Sequence, residues 1–130
     1  MVLEPKGNGG GSPSVLVIED EDVIRELLSD FLSEQGYEVT VVEDAKEGLA
    51  AFEQARFDAV LVDYGLPGMH GIEVCRKMAA MAPDTALLLM TGMGGLKVAE
   101  QEPSIAKVIA KPFDLFAVLR ELETLLSSKV

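Results

Sequence analysis

From residue 14 onward, short apolar runs alternate with longer amphipathic stretches. Val15-Leu16-Val17-Ile18, Phe57 to Val62, and Ala86-Leu87-Leu88-Leu89-Met90 have the length and composition of strands buried on both faces. Glu38 to Val42 and Ala106 to Ala110 complete a set of five. Between the first two strands, Val23, Leu27, Leu28, Phe31 and Leu32 mark one face of a helix that runs to about Gln35. Gly36 then stands ready to take the left-handed conformation that ends it. Asp44 with Glu47 three residues on is a capping box, opening a second helix through Phe52 to about Ala55. A third helix runs from Gly71 to about Met81 and is closed by Pro83. The last runs to about Ser127 behind an Asp114 N-cap that Phe113 and Val118 flank as a hydrophobic staple.

One stretch fits the alternation poorly. Gly94-Gly95 and Pro103 bracket a segment in which only Leu96, Val98 and Ala99 can anchor a helix, so a short or irregular fourth helix is expected. Strands alternating with helices predict a parallel sheet covered on both faces. With right-handed crossovers, that is a doubly wound α/β fold.

The polar residues that end the strands then become the centre of interest. In a parallel sheet all strand C-termini lie on one edge, where open α/β sheets bind ligands. Glu19 and Asp20 end the first strand, Asp63 the third, Thr91 the fourth and Lys111 the fifth. A lone Asp at a strand end is more often a turn cap, but here three other strands end in polar groups at the same edge. Clustered carboxylates repel one another, and a hard divalent cation such as Mg²⁺ relieves that repulsion. Thr91 adds a hydroxyl donor and Lys111 a compact positive charge. The set describes a pocket for a phosphoryl group carried on, or attacked by, a carboxylate. No acid pair at glycosidase spacing, no His/Cys metal cluster and no Ser-His-Asp set competes with it.

Composition narrows the reading further. At 130 residues the chain suits a single domain, and a hydrophobic fraction of 48% with mean hydropathy +0.25 excludes disorder. Acids outnumber bases 22 to 11, for a net charge of −11, which repels phosphate backbones and anionic lipid. Direct nucleic-acid and membrane binding are therefore not expected. No apolar run reaches the roughly 18 residues of a membrane span, and no signal peptide is recognised. One cysteine, Cys75, allows no internal disulfide and fits a reducing cytoplasm. It is expected to fill core, as are Met78, Met81 and Met90, whereas Met93 could be exposed. Residues 1–12, with Gly7-Asn8-Gly9-Gly10-Gly11-Ser12, read as a tag or flexible linker, leaving 13–130 as the domain. The glycines there fail the spacing of a phosphate-binding loop.

In their order and placement, Glu19-Asp20, Asp63 with Pro67, Gly71, Thr91-Gly92 and Lys111-Pro112-Phe113 closely resemble the motifs of the CheY-like response-regulator receiver domain of two-component signalling. The resemblance covers Ser14 to Ser127 and implies a flavodoxin-like sheet of strand order 2-1-3-4-5. It implies that Asp63 accepts a phosphoryl group from a sensor histidine kinase or phosphotransfer protein. Asp20, Asp63 and the Gly65 carbonyl would bind Mg²⁺ directly, and Glu19 through water. Thr91 and Lys111 would bind phosphoryl oxygens, and the Lys111-Pro112 bond is expected to be cis. A downstream protein target is implied but not named, and there is room for a phosphorylation-dependent homodimer.

Departures from the pattern accompany the match. Glu19 stands where Asp is more usual, and His70, read as a solvated loop residue, where Asp or Asn is common. Val108 replaces the aromatic residue often found three before Lys111, so no swinging ring couples to Thr91 there. The segment between Thr91 and Lys111 is short, similar to receivers appended to hybrid histidine kinases. The chain is then a single-domain regulator or a receiver cut from a larger protein. Two other readings compete. A Mg²⁺-dependent phosphatase with an aspartyl-phosphate intermediate would need a second Asp where Gly65 stands. A degenerate receiver used only for binding would not need Asp63, Thr91 and Lys111 intact.

Overall fold

The computed structural model describes residues 12–92 and 96–127. Five strands, β1 (Ser14–Ile18), β2 (Glu38–Val42), β3 (Ala59–Asp63), β4 (Ala86–Thr91) and β5 (Lys107–Ala110), form one sheet. All pairings are parallel, in the order β2-β1-β3-β4-β5. The helices are α1 (Asp22–Glu34), α2 (Ala45–Gln54), α3 (Gly71–Met81), a five-residue α4 (Leu96–Glu100) and α5 (Leu115–Ser127). This is the doubly wound fold expected, with the short fourth helix. Of the expected linker, only Ser12 falls among the described residues, and Met93 lies outside them.

Alternating strand residues serve two separate cores, as the two-residue period of a pleated strand requires. Leu16, Ile18, Val60, Val62, Leu87 and Leu89 pack with Phe52 of α2 and with Ile72, Cys75 and Met78 of α3. Val15, Val17, Leu61, Leu88 and Met90 pack with Leu28 and Leu32 of α1 and with Val118 and Leu122 of α5. Residues on both faces are buried, so β1, β3 and β4 read as unbroken apolar runs. Strands β2 and β5 are the sheet's edges, and Glu38, Thr40 and Lys107 there are exposed.

The element ends behave as local chemistry dictates. Gly36 has φ +99° at the end of α1. The Asp44 carboxylate accepts from the Glu47 amide at 2.8 Å, while Glu47 reaches back to the Glu43 amide at 3.3 Å, one residue beyond the usual box. Asp114 accepts from the Phe116 amide at 2.8 Å, and Phe113 and Val118 share one core, as a staple requires. The Lys111-Pro112 bond is cis.

Three expectations about packing need correction. Val23 and Leu27 are 70% and 52% exposed, because the stripe on α1 is wider than the surface the sheet and α5 offer it. Met81, at the end of α3, is 44% exposed rather than core. The third strand begins at Ala59, not Phe57: the buried Asp58 carboxylate is drawn to the Ser14 amide, accepting it at 2.8 Å. Cys75 is fully buried, as expected, and burial pushes its thiol pKa up to about 12. Beyond α3, Arg76 Nε and Nη2 donate to Glu102 Oε1 at 3.0 and 2.7 Å, pinning the segment after α4 to that helix.

Candidate functional site

The carboxyl edge of the sheet gathers the strand-end residues because the strands run parallel and in register. Asp63 is paired with Met90, so Thr91 lies one residue further along β4. Lys111 follows β5, its amide donating to the Thr91 carbonyl at 2.8 Å. Glu19 follows β1, its amide donating to the Val42 carbonyl at 3.1 Å. Backbone ladders thus deliver side chains from four strands to one place.

The Lys111 ammonium joins two of the acids. Its Nζ donates to Glu19 Oε1 at 3.0 Å and to Asp63 Oδ1 at 3.1 Å. The other Glu19 oxygen accepts from the Glu21 amide at 3.0 Å, so both oxygens of this fully buried carboxylate have partners. Asp20 is exposed, yet one oxygen from each of Glu19, Asp20 and Asp63 lies within 4.8 Å of the others. Thr91 is buried, and its hydroxyl donates to the Gly92 carbonyl at 3.0 Å. Gly65 is exposed in the loop after β3, and its backbone hydrogen-bonds the Asp63 carboxylate.

Three carboxylates therefore cluster at a site that holds one ammonium, which two of them share. Burial raises the Asp63 pKa, and the hydrogen bonds from Lys111 and Gly65 only partly oppose it. Glu19 is likewise raised by burial, against bonds from the Glu21 amide and Lys111. For Lys111, burial alone would lower the pKa, but bonds to both acids outweigh it and the ammonium is held more firmly than usual. The pocket retains net negative charge and presents only hard oxygen ligands beside that ammonium. Such a donor set suits Mg²⁺, which binds through one or two carboxylates and keeps places for water and phosphoryl oxygens.

Other features stayed hidden in the sequence. Arg25 of α1 donates from Nη1 to the Glu19 carbonyl oxygen at 2.7 Å and pairs with Asp22. Only the Asp22-to-Arg25 spacing of three hinted at it. Gly71 packs so closely behind β3 that a Cβ there would lie 2.5 Å from the Asp63 carbonyl oxygen. His70 is exposed, its ring 5.7 Å from that of Tyr64, which agrees with a solvated loop position.

The family model described as the response regulator receiver domain matches residues 15–123. The transcriptional regulatory protein TcrA of Mycobacterium tuberculosis is 35% identical over 113 residues, covering 83% of this chain and 45% of that protein. The chain spans about half the length of the curated relatives it matches. A CheY-like receiver domain protein of Methanospirillum hungatei superposes with TM-score 0.87 at 27% identity, covering 92% of this chain and 97% of the other. The response regulator TrrA of Thermotoga maritima, solved in complex with Mg²⁺ and BeF, gives TM-score 0.78 at 29% identity, covering 88% and 99%.

Proposed function

The chain belongs to the response regulator receiver domain family, and from that premise we propose that it takes a phosphoryl group onto Asp63 from a histidine kinase or phosphotransfer protein. An Asp63 carboxylate oxygen forms the new bond to phosphorus. The bond from phosphorus to the donor's imidazole nitrogen breaks, and its electron pair leaves with the imidazole. Lys111, already 3.1 Å from Asp63, neutralises charge on the incoming phosphoryl oxygens. The Thr91 hydroxyl turns from the Gly92 carbonyl to donate to one of those oxygens. Asp20, Asp63 and the Gly65 carbonyl would hold Mg²⁺, with Glu19 acting through water. Bound there, the ion supplies Lewis-acid neutralisation of the phosphoryl group.

The observation that carries this reading is the single ammonium of Lys111 shared by Asp63 and Glu19 at the sheet's carboxyl edge. The TrrA complex with Mg²⁺ and BeF supports it by likeness. Phosphorylation draws Thr91 and Lys111 inward and alters the surface around β4, α4, β5 and α5, where a downstream protein target or a second copy binds. The domain works in the cytoplasm and acts on no separate substrate, its only chemistry being self-catalysed phosphotransfer and dephosphorylation. Matching about half of TcrA's length, it serves as a phosphoaccepting domain, without touching nucleic acid or membrane itself. Incubation with acetyl phosphate and Mg²⁺, read by intact mass, tests the proposal. One labile phosphoryl group is expected on the wild type and none on Asp63→Asn. Stoichiometric phosphorylation of that variant rejects Asp63 as acceptor, and turnover of phosphate monoesters favours a phosphatase.

A further inference from the structure

Helix α1 starts without a side-chain cap: Glu21 occupies the N-cap position, and its side chain accepts no hydrogen bond from the first turn. The β1–α1 loop, which carries both acids of the pair, is held in another way. Arg25 reaches back from the second turn of α1, and its Nη1 donates to the Glu19 carbonyl oxygen at 2.7 Å. That oxygen belongs to the peptide joining Glu19 to Asp20. The other terminal nitrogen, Nη2, pairs with Asp22. The Arg25 side chain is only 16% exposed and its bond to the Glu19 carbonyl is partly buried, whereas its partner Asp22 stands in solvent. From the opposite side of the same loop, the Glu19 carboxylate accepts the Glu21 amide at 3.0 Å.

We propose that Arg25 is a positioning residue for the Mg²⁺ site, fixing the plane of the Glu19–Asp20 peptide and with it the direction of the Asp20 carboxylate. The proposal rests on the reading of Glu19, Asp20 and Asp63 as that site. Asp20 has the greatest need of such support, since it is exposed while Glu19 is locked by two partners of its own. A guanidinium meets a backbone carbonyl and a carboxylate through two nitrogens fixed in one plane, whereas the single, freely rotating ammonium of a lysine at this position does not fix that plane.

The sign of the effect separates positioning from charge. A cation beside an anionic pocket opposes a second cation, so through-space electrostatics alone predicts that Arg25→Ala tightens Mg²⁺ binding. Positioning predicts the reverse, a loss of roughly tenfold, as for other groups that orient metal ligands without touching the metal. Calorimetric titration of the full chain with Mg²⁺ should show weakened binding in Arg25→Ala and in Arg25→Lys, which keeps the charge but not the fork. In the metal-free protein, amide exchange at Glu21 should quicken in both. Asp58→Ala, which breaks the bond to the Ser14 amide at the opposite edge of the sheet, controls for lost stability and should bind Mg²⁺ as the wild type does. Unchanged or tighter binding in both Arg25 variants overturns the proposal, as does an equal loss in Asp58→Ala. Failure of the wild type itself to bind Mg²⁺ overturns the reading of the site and takes this inference with it.

Discussion

Burial raises the proton affinity of Asp63 and Glu19 although each has the Lys111 ammonium within hydrogen-bonding distance. Their ionisation in the folded state therefore costs stability. For Asp63 the folded pKa lies above the ordinary 3.8, so the cost is complete above the folded value and vanishes as pH falls below 3.8. Asp63→Asn should accordingly melt at or above the wild-type temperature near neutral pH without Mg²⁺, and the gap should close on acidification. A variant less stable at every pH would contradict this. On the proposed reading of the site, Asp20→Ala should weaken Mg²⁺ binding more than Glu19→Ala, and equal losses in a titration would refute that division of roles. The acids, Thr91 and Lys111 were legible in the sequence because each follows a strand that announces itself. Arg25 and Asp58 were not. Their roles depend on a backbone carbonyl and on an amide 44 residues away, which no local pattern encodes.

Among the elements, two glycines are bound by contact rather than by φ. A Cβ at Gly71 would sit 2.5 Å from the Asp63 carbonyl oxygen and 2.9 Å from Tyr64 Cα, both backbone atoms. At Gly48 it would meet Ile18 Cδ1 and Cγ1, atoms of a side chain rather than of the backbone. Gly71→Ala should therefore cost about 1–3 kcal/mol in urea unfolding, and more than Gly48→Ala. Equal costs would show that the β3 backbone yields as readily as the Ile18 side chain. Helix α1 offers a second comparison. Leu28→Ala should cost about 2–5 kcal/mol, whereas Leu27→Ser, one residue away but 52% exposed, should stay within about 0.5 kcal/mol. Periodicity located this helix but overstated its buried face, because apolar spacing cannot tell how much of a stripe the neighbouring elements will cover. The stub of α4 was legible for the opposite reason, in that its glycines and few apolar anchors left little to bury.

At the scale of the whole molecule, the two-sided core was legible because doubly buried strands demand helices above and below, whereas the strand order came only with the resemblance to receiver domains. A ligand that binds only the folded chain must raise its stability, by about 2.7 kcal/mol at a concentration 100 times Kd. Thermal melts in Mg²⁺ should therefore shift upward with concentration, and Asp20→Ala should lose most of that shift. A melting temperature indifferent to Mg²⁺ would remove the case for a site at the carboxyl edge. Cys75 supplies an independent clock for the same equilibrium. It is the chain's one thiol, with no exposed surface between α3 and the sheet and a pKa held at about 12. An aromatic disulfide reagent cannot reach it, or find it as thiolate, until that interface parts. Its labelling rate in native buffer thus counts openings of α3 one molecule at a time, with no engineered probe, and Mg²⁺ should slow the count.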